Sequence, residues 1–350
     1  MGRGGSGAAA VWWGSVRPGV IHRSAEARRR GRRVHHSRRM NLGENSNAAP
    51  FVGRAAITAG QVTRGELENR RRFRRPARDL YVPVDAGDTL AERCHALRLV
   101  LPDDATFSHH TAAALYGVAL ADEPLIHVST PRPVETRMTG VIGHRVRALE
   151  SSTWRYGLPI TSPAHTYLDL AARLDLLSLV VAGDRLAALC LNGIGDLERI
   201  VDLGRGRRGV ALARHALWWI DPDSRSSMES RMRFLLVSAG FPKPRCNQPV
   251  YDEVGGFVAE PDLQVDDVRV AHEYESDRHR ERRQWELDIK RDEQLHRLGW
   301  ILIKVTSTDL LRRPDTVVER TRDAYDRRGV RIPHGATKAQ IPGGIRATAP

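Results

Sequence analysis

The order of hydrophobic runs between residues 223 and 328 constrains the fold more than any other feature of the sequence. Residues 227–239 read as an amphipathic helix, closed by Gly240 just past its end. Residues 246–251 and 256–265 flank Gly255-Gly256, a hairpin signal. Asp266-Asp267 marks a second tight turn, and 268–275 reads as a third strand. Residues 282–298 form a long helical pattern ending at Gly299, and 300–305 is an apolar strand of the buried type. Ser307 or Thr308 could cap a last helix through residue 327. The order α-β-β-β-α-β-α demands a sheet with helices packed on it.

That order gathers acids. Asp262 falls near the end of the second predicted strand, and Glu273 and Glu275 lie two apart on the third. Side chains at i and i+2 leave the same face of a strand. A tight turn joins the two strands, so Asp262 is expected to approach the pair at one sheet edge. Clustered anions repel unless a positive charge sits among them. A hard divalent cation, Mg²⁺ or Mn²⁺, prefers such oxygen ligands and can generate hydroxide for attack on a phosphodiester. Asp262, Glu273 and Glu275 are therefore the candidate metal ligands, with Glu229 of the first helix as a fourth. Gln284, Asp288 and Arg291 recur along one helical stripe. His279, Arg291 or Lys290 could stabilise transition-state charge. The same acids also fit the solvent face of a half-exposed sheet, with 282–297 an ordinary salt-bridged helix.

Charge is distributed unevenly. The 350 residues carry a formal +13, and the first 40 hold ten arginines and one acid, or +9 of that total. Residues 1–45 are expected to be a disordered arginine-rich tail, with Met40 a second candidate start, and 331–350 a flexible end. No apolar run approaches the ~20 residues of a membrane-spanning helix. Cys94, Cys190 and Cys246 are too dispersed for a disulfide framework or a paired-cysteine zinc site, which fits a reducing, cytoplasmic setting.

Upstream, residues 46–88 contain a capping-box spacing, Thr63 with Glu66. It predicts a short helix over 63–72 carrying Arg64, Arg70, Arg71 and Arg72, after a first helix near 55–59 and before an extended piece at 78–83. Helix, turn, basic helix and short β-piece is the order of a winged helix-turn-helix, and those arginines are the candidate DNA contacts. A small helical subdomain with a solvated arginine face fits the same residues. Residues 89–222 read as a mixed α/β region of unassigned role, with Ser108 a candidate helix cap and 162–174 and 176–189 core helices. His109, His110, His127, His144 and His165 have no recognisable metal-ligand spacing there.

Residues 225–328, with Glu260-Pro261-Asp262, His272-Glu273-Tyr274-Glu275, Gln284-Trp285-Glu286-Leu287-Asp288-Ile289 and Gly299-Trp300 ahead of Val305-Thr306, resemble the restriction-endonuclease-like fold. More narrowly, they resemble the Vsr-like domains of the PD-(D/E)XK superfamily. The resemblance implies a mixed α/β fold with an αβββαβ core and Asp262 and Glu273 as metal ligands. It sets Glu275 at the variable third position and makes Glu229 the first-helix acid. Glu275 stands where the superfamily motif has lysine, and Glu273-Tyr274-Glu275-Ser276 stands where Vsr-like domains commonly read Glu-x-Asp-Gly. Residues 50–85, through Thr63-Arg64-Gly65-Glu66-Leu67 and Asp79-Leu80-Tyr81-Val82, are similar to the winged-helix segment of AbiEi-type antitoxin regulators. The expected function is a DNA-binding protein with a Mg²⁺- or Mn²⁺-dependent endonuclease domain over 223–330. The expected partners are DNA and a cognate toxin or second copy, with no membrane and no small-molecule cofactor. The alternative is a non-catalytic, antitoxin-like regulator whose nuclease fold only binds.

Overall fold

The structure is a computed structural model that describes residues 49–332 except 122, 133–137, 139, 147–151 and 276–281, and only the backbone of 282–286. Both expected tails lie largely outside the described residues. The fold is mixed α/β, with helices packed on antiparallel and mixed sheets.

The N-terminal module runs β1 (Phe51–Val52), α1 (Gly53–Thr58), α2 (Arg64–Leu67), β2 (Phe73–Ala77) and β3 (Leu80–Pro83), with antiparallel sheet order β1-β3-β2. Thr63 caps α2 in a full capping box: its Oγ1 accepts from the Glu66 N–H, and Glu66 Oε2 accepts from the Thr63 N–H at 2.8 Å. The expected helix over 63–72 stops at Leu67. The Asn69 side chain accepts from the Arg71 N–H at 3.0 Å and the Asn69 carbonyl from the N–H groups of Arg72 and Phe73, an alternative that outcompetes a helix. Arg70–Arg72 therefore sit in a turn before a β-hairpin, whose Asp79 holds φ 64°. Phe51 packs edge-on to Phe73 at 5.4 Å and stacks with Tyr81 at 5.9 Å, closing a small core. Thr63→Ala is expected to destabilise this module by about 1 kcal/mol, the usual worth of such a cap. Amide exchange at Glu66 and Leu67 measures it, and unchanged protection there would refute the role of the cap.

The middle region contains α3 (Leu90–Arg98), β4 (Thr106–Phe107), α4 (His109–Leu115), β5 (Ile126–Thr130), β6 (Val141–Arg145), β7 (Ser152–Arg155), β8 (Leu158–Thr161), α5 (Pro163–Leu170), α6 (Leu176–Ala187), α7 (Ile194–Leu203) and α8 (Val210–Leu217). Its five-stranded sheet has the order β6-β5-β4-β8-β7, with β5–β6 and β4–β8 parallel. As their apolar composition predicts, α5 and α6 form the core, with Tyr167, Leu170, Leu179 and Leu186 fully buried. Ser108 makes no capping bond: its hydroxyl accepts from Ser129 Oγ at 2.7 Å and meets His109 Nδ1 at 2.9 Å.

The C-terminal module contains α9 (Ser227–Ser238), β9 (Arg245–Cys246), β10 (Val250–Tyr251), β11 (Phe257–Ala259), β12 (Leu263–Val265), a 3-10 turn (Asp266–Val268), β13 (Val270–Glu275), α10 (Arg282–Arg297), β14 (Ile301–Thr306), α11 (Ser307–Arg312) and α12 (Pro314–Arg327). Two expected strands are each split. Asn247, at φ 48°, ends β9, and Pro261, which has no N–H to give a ladder, separates β11 from β12. β10 and β11 pair together, while the main sheet has the order β14-β13-β12-β9. The expected last helix is also two: Thr306 rather than Ser307 or Thr308 caps α11 in a capping box with Asp309, and Pro314 starts α12. The Val270, His272 and Tyr274 face packs toward α9 and α12, while the Ala271 and Glu273 face lies under α10. The middle and C-terminal cores meet where Phe234 of α9 packs on Trp219 at 4.7 Å.

Candidate functional site

Antiparallel pairing of Leu263 with His272 places Asp262 one step further along, opposite Glu273. Asp262 Oδ2 accepts from the Tyr274 N–H at 2.7 Å, which locks it beside the end of β13. β13 lies between β12 and β14, so the acids occupy the face of two central strands under α10 rather than the expected sheet edge. Glu229 is buried and takes a different part. Its Oε2 accepts from the Arg225 N–H and from Asn247 Nδ2, both at 2.8 Å, and the Asn247 N–H in turn donates to the Asp262 carbonyl. It holds the backbone of Asp262 and adds negative charge nearby. His279 and the side chain of Gln284 lie outside the described residues.

Electrostatics make these carboxylates unusual. Burial pushes Asp262 up to about 6. The Tyr274 N–H and the Arg291 charge oppose the shift, and Glu229 and Glu275 reinforce it. Burial likewise pushes Glu273 up to about 7, against the Arg291 charge and with the Asp262 charge. Arg291 Nη2 lies 2.8 Å from Glu273 Oε2, and its guanidinium also reaches Asp288 at 3.8 Å and Asp292 at 3.5 Å. The expected stripe of α10 thus delivers Arg291 to Glu273, with buried Asp288 beside the guanidinium.

The sequence reading missed Lys304. Parallel pairing of β13 with β14 sets Lys304 beside Glu273. Its Nζ lies 3.5 Å from Glu275 Oε1 and 2.5 Å from Asp292 Oδ2. These acids raise its pKa in spite of the opposing burial. A lysine thus reaches Glu275 from the neighbouring strand, although residue 275 itself is an acid. No local spacing shows this, because it depends on the parallel register.

The candidate DNA contacts are all exposed. Arg72 lies 3.4 Å from Glu66 and over the Phe73 ring, while Arg64, Arg70 and Arg71 have no acidic partner among the described residues. They are distributed over a one-turn helix and the turn before the hairpin, where Arg75 and Arg78 are also exposed.

Histidines supply the other clusters. Among the described residues, the sets of three side chains whose ligand atoms lie within 4.8 Å of one another are His109 with His127 and His144, and His110 with Glu123 and His127. The absence of sequence spacing concealed both. Asp262, Glu273 and Glu275 do not form such a set, so their oxygens are further apart than in a closed metal cage.

No protein-family model matches the chain. It is similar to two proteins of Mycobacterium tuberculosis: uncharacterized protein MT2308 of strain CDC 1551 / Oshkosh and uncharacterized protein Rv2248 of strain ATCC 25618 / H37Rv. Each is 30% identical over 241 residues, which cover 68% of this chain and 88% of the relative. No helix among the described residues is long and apolar enough to cross a membrane.

Proposed function

The chain belongs to the family of these two mycobacterial proteins. From its own site geometry we propose that it is a cytoplasmic DNA-binding protein whose C-terminal module hydrolyses phosphodiesters with Mg²⁺ or Mn²⁺. One observation carries this reading: half-buried Asp262, just before β12, lies opposite buried Glu273 of β13, and both have raised pKa values near neutral. Burial makes their charged forms costly, and their hard oxygens fit a small divalent cation. The Vsr-like resemblance of residues 225–328 agrees with this assignment. The bound cation would polarise a phosphate oxygen and supply hydroxide. Asp262 and Glu273 supply its oxygen ligands. Arg291, within reach of Glu273, is placed to balance charge developing on phosphate oxygens, and Lys304 orients Glu275. The exposed arginines of the N-terminal module bind the DNA backbone.

A second reading has its own support. Arg291 already pairs with Glu273, and Lys304 bridges Glu275 and Asp292, an internal neutralisation that suits an inert, antitoxin-like fold which only binds.

Calorimetry with Mg²⁺ and Mn²⁺ on the full chain, alongside nicking of supercoiled plasmid, separates the two. The nuclease reading expects metal binding and nicking, both lost in Asp262→Asn and Glu273→Gln. It expects Lys304→Met to lose nicking while still binding metal. An unmutated chain that binds neither ion would overturn it. DNA binding that weakens steeply with salt and disappears in Arg64/Arg71/Arg72→Ala would then support the regulator.

A further inference from the structure

Three imidazoles far apart in the sequence meet in the middle region. β5 and β6 run parallel with Ser129 paired to His144, so His127, two residues before Ser129, leaves the same face diagonally beside it. His109 opens α4, and the Ser108 N–H donates to the His127 carbonyl at 3.0 Å, which docks the start of α4 on β5. Ring centroids lie 3.7 Å apart for His109 and His144 and 5.1 Å apart for His127 and His144. His127 Nδ1 and His144 Nε2 are 2.9 Å apart, a separation that one N–H···N bond between neutral rings satisfies. His127 is fully buried, and its Nε2 has no hydrogen-bond partner, with Glu123 Oε2 3.9 Å away. His109 holds φ 52°, a left-handed conformation that is strained for a non-glycine residue.

Outer groups sort the ring nitrogens. His109 Nδ1 lies 2.9 Å from Ser108 Oγ and 3.8 Å from Asp169 Oδ2, and Asp169 is itself paired with Arg207. That leaves Nε2 as the His109 nitrogen available to a ligand, while the ring stacks on His144 with 15° between the two planes. Glu123 on the Nε2 side of His127 leaves its Nδ1. Carboxylates stand behind metal-bound histidines in a similar outer position, here at 3.8 Å from His109 Nδ1 and 3.9 Å from His127 Nε2. Burial, reinforced by neighbouring imidazoles and Arg173, keeps all three rings neutral, which is the ligating form.

We propose that His109 Nε2, His127 Nδ1 and His144 Nε2 form a three-nitrogen site for a divalent transition metal of the zinc class, with a fourth position left for water or an anionic ligand. Neutral nitrogens suit zinc, cobalt or nickel rather than magnesium, so this site and the carboxylates select different ions. His110 and Glu123, which share His127 in the second cluster, flank it with a further nitrogen and a carboxylate. The inference rests on neither Asp262 nor Glu273 and stands apart from the nuclease reading.

The test is zinc competition against a chromophoric indicator on the metal-free full chain, with Co²⁺ as a spectroscopic probe. One equivalent of Zn²⁺ is expected to bind, and Co²⁺ should give the intense visible bands of four-coordinate ligation. His144→Gln, at a half-buried position, is expected to weaken Zn²⁺ by at least about 100-fold. His109→Gln should do the same, and Asp262→Asn should leave zinc affinity unchanged. Absence of zinc binding, weak octahedral Co²⁺ bands, or native affinity in both histidine variants would overturn the site. The cobalt spectrum of the unmutated chain decides the matter even if a variant fails to fold.

Discussion

Arg233→Met is expected to lose about 3–5 kcal/mol of folding stability, the usual cost of stranding one partner of a buried ion pair. Arg233 of α9 and Asp184 of α6 are each 1% exposed, and their Nη2 and Oδ2 atoms lie 2.5 Å apart. Arg233 Nη1 also donates to the Trp219 carbonyl, and Asp184 Oδ1 accepts from the Asp221 N–H at 2.8 Å. The network ties α6, the segment after α8 and α9 together, and so joins the middle core to the C-terminal one. Burial drives the Asp184 pKa up while Arg233 holds it down. Without the guanidinium, the carboxylate must stay buried alone or take a proton. Asp184→Leu/Arg233→Met is expected to recover most of the loss, because no charge then remains buried. Urea unfolding of the three chains measures both effects. A single-variant loss under about 1 kcal/mol would show that the pair does not hold the two cores together.

Glu273→Gln is expected to remove a pH dependence rather than merely shift a midpoint. The folded-state pKa of Glu273 is raised to about 7 from 4.5, so between those values the folded chain binds more protons than the unfolded one. The contribution is fully present below pH 4.5 and is lost as pH rises through 7. With chelator present, the unmutated chain should lose about 2–3 kcal/mol across that window relative to the variant. Asp262, raised to about 6, acts in the same direction. Under the proposed function, Mg²⁺ or Mn²⁺ should restore stability above pH 7 in the unmutated chain alone. Thermal unfolding from pH 5 to 8 tests this, and parallel pH profiles for the two chains would refute the electrostatic account of the site.

Short-range signals were legible. The Thr63–Glu66 capping box and the glycine stops at Gly240 and Gly299 depend on bonds and φ angles within a few residues, and each appears where expected. Competing local bonds were harder to read: Asn69 ends the basic helix before Arg70–Arg72, because its side chain captures a backbone N–H. Strand boundaries at Asn247 and Pro261 were missed although Asn247-Gln248-Pro249 and Glu260-Pro261-Asp262 interrupt the apolar runs there. Each half is assigned by the sheet it pairs with, which is not a local property.

The same division holds for function. Alternation of Glu273 and Glu275 on one strand, and a tight turn back to Asp262, are local facts, so the sequence by itself determined that these acids could lie near one another. Only the tertiary structure decided what surrounds them. α10 brings Arg291 to Glu273, parallel pairing brings Lys304 to Glu275, and burial raises two of the carboxylate pKa values. The histidines show the limit most plainly. His109, His127 and His144 are 18 and 17 residues apart and share no helical or strand period. Their meeting rests on strand register and on the docking of a helix start, which are long-range choices made by whole-sheet packing.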